Sequence, residues 1–414
     1  MKPTLIPVAE ARQRIVSAMR PVASETISLS EALGRVLAED VNARVTQPPA
    51  DVSAMDGYAV RAADVAEVPA TLRRIGEAPA GGAFDGEMGP GQTVRIFTGG
   101  PVPRGADAIV MQEDTESSDD GDTVTMKFAA PSGHHIRPAG LDFRAGEAGL
   151  EGGRVLSARD LGLAAAMNVP WLRVRRRPRV AILATGNELV MPGEPLAANQ
   201  IVSSNNVALA AFVRAQGGIP NDLGIARDDA DSLRALAAAA AGSDLLLTIG
   251  GASVGDHDLV QSVLGDQGLE VNFWRIAMRP GKPLIFGQIG EIPLIGLPGN
   301  PVSALVCGLV FVKPALAALQ GFADSGQATS SALLASDLPE NDQRQDYLRA
   351  RLERNADGEW LAQPFGKQDS SMLSRLAKAD CLVIRPPLAP AAAAGSRVDI
   401  IAFGALDDVS ARGF

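Results

Sequence analysis

Val180-Ala181-Ile182-Leu183-Ala184-Thr185-Gly186-Asn187-Glu188 is the stretch on which the fold turns. Five apolar residues in a row, then a glycine turn and a carboxylate, read as a strand buried on both faces that delivers a loop to its carboxyl end. The pattern repeats downstream. Ser203 to Gln216 has helical periodicity ended by Gly217-Gly218, and Asp222 to Ile225 closes a second strand. Asp231 to Ala241 is an Ala-rich helix, and Leu245 to Ile249 is a third strand running into Gly250-Gly251. Ile292 to Ile295 is a fourth, from which Gly296-Leu297-Pro298-Gly299-Asn300-Pro301 leads into a long helix ending at Leu319. Apolar strands separated by helices predict a parallel sheet covered on both faces, with ligands outside the carboxyl ends of its strands.

Upstream, residues 8–20 read as an amphipathic helix with Ile15, Val16 and Met19 on one side. Ser28 and Glu31 have capping-box spacing ahead of a second short helix carrying Leu33, Val36 and Leu37. From about 41 to 144, short β-branched runs alternate with Gly- and Pro-rich turns, which predicts an all-β domain with an acidic, solvated hairpin tip at Glu113 to Asp122. Ser157 and Asp160 open a further helix to about Met167. The basic run from Arg173 to Arg179 reads as a linker whose arginines pair with a neighbouring acidic surface. After about residue 325, Tyr347 to Leu352 alternates and Cys381 to Ile384 and Val398 to Ala402 look like strands, which predicts a small β domain. The fold class is therefore multidomain α/β: a three-layer α/β domain with a parallel-type sheet, a β-rich domain, a small helical and extended domain, and a C-terminal β domain.

A chain of 414 residues is too long for one core and predicts two to four domains. Only 4% of it is aromatic, so its cores rest on Ala, Leu, Val and Ile. A net charge of −10 argues against a general nucleic-acid binder, because neutralising phosphates needs a cationic surface. Cys307 and Cys381 both sit in apolar surroundings, which points away from disulfides or a zinc cluster and toward a reducing, cytoplasmic setting. The first residues lack a signal-peptide core. The apolar stretch Val302 to Leu319 is broken by Gly308, Lys313 and Pro314, as suits a buried helix and not a membrane span.

Nucleotide P-loop, dinucleotide-fingerprint and two-histidine zinc motifs are missing from the sequence, and its three histidines have no ligand spacing. What remains is a set of turns at the mouth of the predicted sheet. Gly186 lets the backbone turn sharply and Glu188 places a carboxylate at the sheet edge. Gly250, Gly251, Ser253 and Gly255 form a strand–loop–helix anion cradle, with Asp258 at the helix start either capping it or holding a metal. Pro298, Gly299 and Asn300 aim another helix N-terminus at the same mouth, with Pro301 in the first helical position.

Arg279-Pro280-Gly281-Lys282-Pro283 lies between those two loops, and its prolines fix a turn from which both cations can project. A doubly charged oxyanion loses several kcal/mol on leaving water. One cation at about 4 Å returns roughly 4 kcal/mol at an effective dielectric of 20, so two or more converging cations are expected, and Arg344 is a plausible third. Asp228 and Asp258 follow strands expected to be neighbours. Their mutual repulsion calls for a cation, and Mg2+ fits a site of one or two carboxylates plus substrate phosphates. Asp229 and Asp231 read more simply as caps of the Ala-rich helix.

These turns, taken with Pro48 to Ala59, Ile96 to Pro103 and Ile136 to Phe143, resemble the bacterial MoeA family of molybdopterin molybdenumtransferases and the related gephyrin E domain. The matching segments run in order from one end of the chain to the other. The resemblance implies an elongated homodimer of four-domain subunits with each active site in a cleft between chains. Its domains would be 1–24 with 145–176 for dimerisation, 25–144 β-rich, 177–324 α/β and molybdopterin-binding, and 325–414 β. It implies that Asp56, Thr98 and Asp142 influence activity from the β-rich domain, and that Glu188, Asp228 and Asp258 surround the adenylylated pterin and its magnesium. Arg279, Lys282, Ser303, Arg344 and Ser370 match positions associated with molybdate. Two departures stand out: Arg279 where the family often has Lys, which changes donor geometry, and Ser370-Ser371-Met372 without the usual glycine after the serine, which leaves two serines as candidates.

The implied reaction is insertion of molybdate into adenylylated molybdopterin with release of AMP, which asks for positioning and charge stabilisation more than for a protein nucleophile. The implied partners are a second copy and, transiently, the adenylylating enzyme, with no nucleic acid or membrane. Two alternatives are molybdopterin adenylylation, whose enzyme resembles residues 177–324 alone, and a peptide-binding scaffold like gephyrin. No exposed hydrophobic groove for a peptide is legible in the sequence.

Overall fold

Arg179–Thr185 lies second in a six-stranded sheet whose order is Ile219–Ala226, Arg179–Thr185, Leu245–Ile249, Ile292–Leu297, Pro283–Ile289, Leu269–Arg275. The chain is seen in a computed structural model that describes residues 5–250, 263, 265, 268–322 and 329–404. The first four strands are parallel, as expected, but Pro283–Ile289 runs opposite to them and pairs antiparallel with Ile292–Leu297 on one side and Leu269–Arg275 on the other. Ile289 pairs with Ile292 across the two-residue turn Gly290-Glu291, and so short a loop joins only antiparallel neighbours.

Alternation along the strands divides the apolar side chains between two layers. Val180, Ile182 and Ala184, with Leu245, Leu247 and Ile249, pack under the helices Asn205–Ala215 and Pro301–Cys307 and the N-terminal helix Val8–Ala18. Ala181, Leu183 and Leu246 face the opposite layer with Leu233 of helix Ala230–Ala238. Pro301–Cys307 continues through a wider π-helical turn at Gly308–Val312 into Lys313–Leu319, a turn that accommodates Pro314 without ending the helix. By length and composition this helix could cross a membrane, yet most of it lies inside the protein.

The β-rich region forms a second six-stranded sheet, in the order Ala108–Met111, Gly57–Val60, Gln92–Ile96, Ala70–Ala78, Thr123–Met126, Thr115–Ser117. It is apolar on both faces. The acidic hairpin has its expected exposed tip, though Thr115–Ser117 within it is a strand paired with Val124 to Met126.

Two readings upstream are corrected. The helix expected after Ser28 is a single turn, Leu29–Glu31, in which Ser28 makes no capping bond. Val36 and Leu37 instead form isolated bridges with Val155 and Val174 and are buried there, while Leu33 is exposed. The basic run is in part a strand: Trp171–Arg175 pairs antiparallel with Ser24–Ser28. Its arginines do meet acids, Arg176 gripping Asp244 through two hydrogen bonds at 2.7 and 2.6 Å and Arg173 lying 3.8 Å from Glu39. Leu37, Val41, Leu150, Leu172 and Val174 make one core beside the helix Ala158–Ala166, which opens at Ser157 as expected, with a capping box between Ser157 and Asp160.

Near the C-terminus, Gln345–Arg354 pairs with both Trp360–Pro364 and Cys381–Arg385. Ser330–Leu334 and Arg397–Ala402 complete a closed sheet, so the expected small β domain is barrel-like. The short strand Met278–Arg279 adds to its edge, tying the Pro-framed turn to residues 345–346.

Candidate active site

Three turns meet where the parallel strands end. Gly186, at φ +147°, has the carboxylate of Glu188 folded back over it: a Cβ there would stand 2.6 Å from Glu188 Oε2. Asn187 and Asp228 exchange hydrogen bonds, each backbone N–H donating to the other's side-chain oxygen at 3.1 Å. Asp228 is thereby held at the mouth, exposed, while Asp229 caps the next helix by accepting from Ser232 N–H at 2.8 Å. Gly250, at φ +87°, approaches so closely that a Cβ would lie 2.8 Å from Thr185 O, and its N–H donates to Leu297 O. Gly299 comes against Gly250 from the fourth strand, and its carbonyl accepts from Asn205 Nδ2 at 2.7 Å. Pro298 is buried between these loops.

Gly251, Ser253, Gly255 and Asp258 lie outside the described residues, so the anion cradle is seen only up to Gly250. One expectation about Asp258 is corrected by sheet order. The strands preceding Asp228 and Asp258 are not neighbours, because Arg179–Thr185 runs between them. Among the described residues no group of three or more His, Cys, Asp and Glu is placed to hold a metal ion.

Asn300 sits at the N-cap position before Pro301, but its side chain does not cap the helix. Its Nδ2 donates to Ser370 Oγ at 2.9 Å, and Ser370 O accepts from Val302 N–H, so the C-terminal domain supplies the missing cap. Ser371 is bound differently, with its hydroxyl and N–H both on Asp369 Oδ1. The structure therefore brings Ser370, and not Ser371, to the sheet mouth. Ser303 is buried in the first turn of the same helix.

The loop that presents Ser370 is strapped by Arg349, which sequence reading missed. This buried guanidinium donates to Gln368 Oε1 at 3.1 Å and Asp369 O at 2.8 Å, and burial lowers its pKa. Its strand, Gln345–Arg354, also carries Asp346, Arg351, Glu353 and Arg354, so nothing in the local pattern singles Arg349 out.

The cations occupy an adjoining region. Arg279 donates to Asp342 at 3.2 Å and to the buried carboxylate of Asp346, and Arg344 donates to Asp342 at 2.6 Å. Hydrogen bonds from Arg344 hold the Asp342 carboxyl down at about 2, whereas burial pushes that of Asp346 up. Lys282 lines a cavity of about 1010 Å³ with Arg275, Gln343 and Gln345, the last two flanking Arg344. Arg275 is a second residue missed from sequence. Its Nε is buried with no hydrogen-bond partner, and its guanidinium lies 4.2 Å from the Trp274 ring centre.

In the β-rich domain Thr98 N–H and Oγ1 both donate to Asp56 Oδ1 at 2.7 Å, which lowers the pKa of this exposed carboxyl. Asp142 lines a separate cavity of about 640 Å³ with Gly99 and Arg137. An apolar cavity of about 430 Å³, unforeseen in the sequence, lies among Phe212, Leu305, Leu309, Leu376 and Phe403.

Comparison with known proteins covers the whole arrangement. Residues 6–168 match the MoeA N-terminal region (domain I and II), 181–318 a probable molybdopterin binding domain, and 331–403 the MoeA C-terminal region (domain IV). The chain is 35% identical to the molybdopterin molybdenumtransferase of Haemophilus influenzae, over 97% of this chain and 100% of that one. It is 38% identical to molybdopterin molybdenumtransferase 2 of Mycobacterium tuberculosis, over 94% and 98%. A crystal structure of the molybdopterin biosynthesis MoeA protein from Pyrococcus horikoshii superposes with a TM-score of 0.84 at 31% identity, covering 97% of this chain and 100% of that chain. Sequence, domain order and three-dimensional arrangement agree throughout: this chain belongs to the MoeA family of molybdopterin molybdenumtransferases.

Proposed function

We propose that the chain inserts molybdate into adenylylated molybdopterin with release of AMP in molybdenum cofactor biosynthesis. The observation that carries this reading is the contact of Asn300 with Ser370, which places a C-terminal-domain residue on the loops of the α/β domain. An adenylylating domain of the α/β type alone has no counterpart to it. In this reading the loops at Gly186, Gly250 and Gly299 offer backbone groups to the pterin phosphates, with Glu188 and Asp228 at their edge. Arg279, Lys282 and Arg344 take the oxyanion. A molybdate oxygen attacks the pterin-side phosphorus of the phosphoanhydride and AMP leaves with the bridging oxygen. The attacking oxygen stays on the pterin phosphate as its bond to the metal breaks. The two dithiolene sulfurs bind the metal while their protons leave with a second oxo ligand as water. The chain contributes alignment and fixed charge, and no protein nucleophile is required.

A magnesium ion belongs to the proposal. Asp228, exposed and anchored by Asn187, suits an ion that takes one or two carboxylates and otherwise binds phosphate and water. Such an ion would neutralise phosphate charge when bound. The reading also includes a cytoplasmic homodimer, in which the face carrying Asp56, Thr98 and Asp142 serves the mouth of the second copy, and a transient contact with the adenylylating enzyme.

The test is AMP release and cofactor formation from adenylylated molybdopterin and molybdate, with wild type, Glu188→Gln and Lys282→Ala. Both variants should lose at least tenfold in rate, about 1.4 kcal/mol of transition-state stabilisation, while keeping their oligomeric state. Wild-type turnover of ATP and unmodified molybdopterin in place of these substrates would overturn the proposal.

A further inference from the structure

The two arginines assigned to the oxyanion share one carboxylate. Arg344 meets Asp342 side-on, with Nη2 donating to Oδ2 at 2.6 Å and Nε to Oδ1 at 3.3 Å, and its backbone N–H donates to Oδ1 at 2.8 Å. From the other side Arg279 Nη1 donates to the same Oδ2 at 3.2 Å. Two guanidiniums and an amide converging on two oxygens form a donor set suited to a tetrahedral dianion. The contact lies open to solvent. Asp342 is 41% exposed and Arg279 47%, so they can separate without opening a core, whereas Asp346, on the other side of Arg279, is 5% exposed and fixed.

Building on the proposal that Arg279 and Arg344 receive the oxyanion, we propose that Asp342 is a tethered competitor for that site. It keeps the two guanidiniums together when no oxyanion is bound and must swing into solvent before one binds. A tethered carboxylate acts at high effective concentration, so a singly charged anion in free solution displaces it poorly. A dianion gains twice the Coulomb attraction from both arginines and can displace it. Asp342 would thus set the oxyanion concentration at which the site fills and favour doubly over singly charged anions.

The test is calorimetric titration of the full chain with molybdate and with nitrate, in wild type, Asp342→Asn, Asp342→Ala, Arg279→Ala and Arg344→Ala. Asp342→Asn retains a side-chain oxygen to accept from Arg344 N–H, so the turn survives in at least one of the two Asp342 variants. Both should bind molybdate roughly three- to tenfold more tightly than wild type, the scale expected for losing partly exposed ion pairs. They should also gain measurable nitrate binding, and the KM for molybdate should fall by the same factor with kcat unchanged. Unchanged or weaker molybdate binding in both, with binding abolished in Arg344→Ala, would overturn the competitor role and leave the oxyanion site standing. Wild-type molybdate binding in both arginine variants would overturn the site itself, and the inference with it.

Discussion

Asn300 reaches across a domain boundary to donate a hydrogen bond to Ser370 Oγ at 2.9 Å. Helix Pro301–Cys307 begins directly after Asn300, and the amide of Val302 is satisfied by Ser370 O. The start of this helix is therefore completed by a loop nearly seventy positions away in sequence, so the geometry of the mouth depends on how the C-terminal domain docks.

Ser370→Ala and Asn300→Ala should each lower kcat/KM for molybdate insertion about tenfold, a loss of about 1.4 kcal/mol. Ser371→Ala should stay within about threefold of wild type, since its hydroxyl is engaged by Asp369. Steady-state cofactor formation at varied molybdate checks this, and equal losses at both serines would show that Ser370 has no special place.

Gly250→Ala should destabilise the chain by roughly 1–3 kcal/mol, because φ +87° strains a residue with a Cβ and that Cβ would meet Thr185 O at 2.8 Å. The same displacement should separate the turns at Gly186 and Gly299, so activity should fall more than stability does. Urea unfolding midpoints and cofactor-forming rates, measured on one preparation, give the two quantities.

The pH dependence of stability should carry a mark of Asp342. Its folded pKa of about 2 lies below the unfolded value of about 3.9, so its contribution is complete above roughly pH 4 and is lost as pH falls toward 2. Asp346, raised by burial, acts with the opposite sign, its contribution fading as pH rises through its folded pKa. The difference between wild type and Asp342→Asn isolates the first effect: the two unfolding profiles should approach each other as pH falls and converge only near pH 2. A constant offset across the acid range would contradict the assignment.

Ser157→Ala should cost about 1 kcal/mol by removing the cap of Ala158–Ala166. Asp160 keeps its ion pair with Arg154 at 2.9 Å, so the loss should stop short of unfolding the small domain. A thermal melt of the purified chain measures it. A change of several kcal/mol would mean that Ser157 does more than cap.

Legibility in the sequence followed the range of the interactions involved. The run from Val180 to Ala184 announced a strand because both of its faces are buried, and Ser157 with Asp160 announced a helix because capping is complete within four residues. Asp229 was likewise recognisable as a cap. Trp171–Arg175 was hidden, since its charged residues look like a linker until Ser24–Ser28 pairs with them. The antiparallel strands Leu269–Arg275 and Pro283–Ile289 were hidden for a similar reason, as hairpin pairing at a sheet edge has weak periodicity. At the site, Glu188, Asp228 and Asn300 could be placed from the turns that carry them. Arg275, Asp342 and Arg349 could not: the burial of Arg275 Nε comes from the folded cavity wall, Arg349 is fixed by Asp369 from another segment, and Asp342 by a shared contact with Arg279 that only folding creates.

The apolar helix from Pro301 to Leu319 has a consequence for synthesis. Part of its covering layer arrives late in translation, since Tyr347, Leu382 and Ile401 belong to the same core. While these residues are still in the ribosome, a segment as greasy as a membrane anchor has one flank open to water. A truncation before Ile401 should therefore leave that flank uncovered and make the shortened chain prone to aggregate.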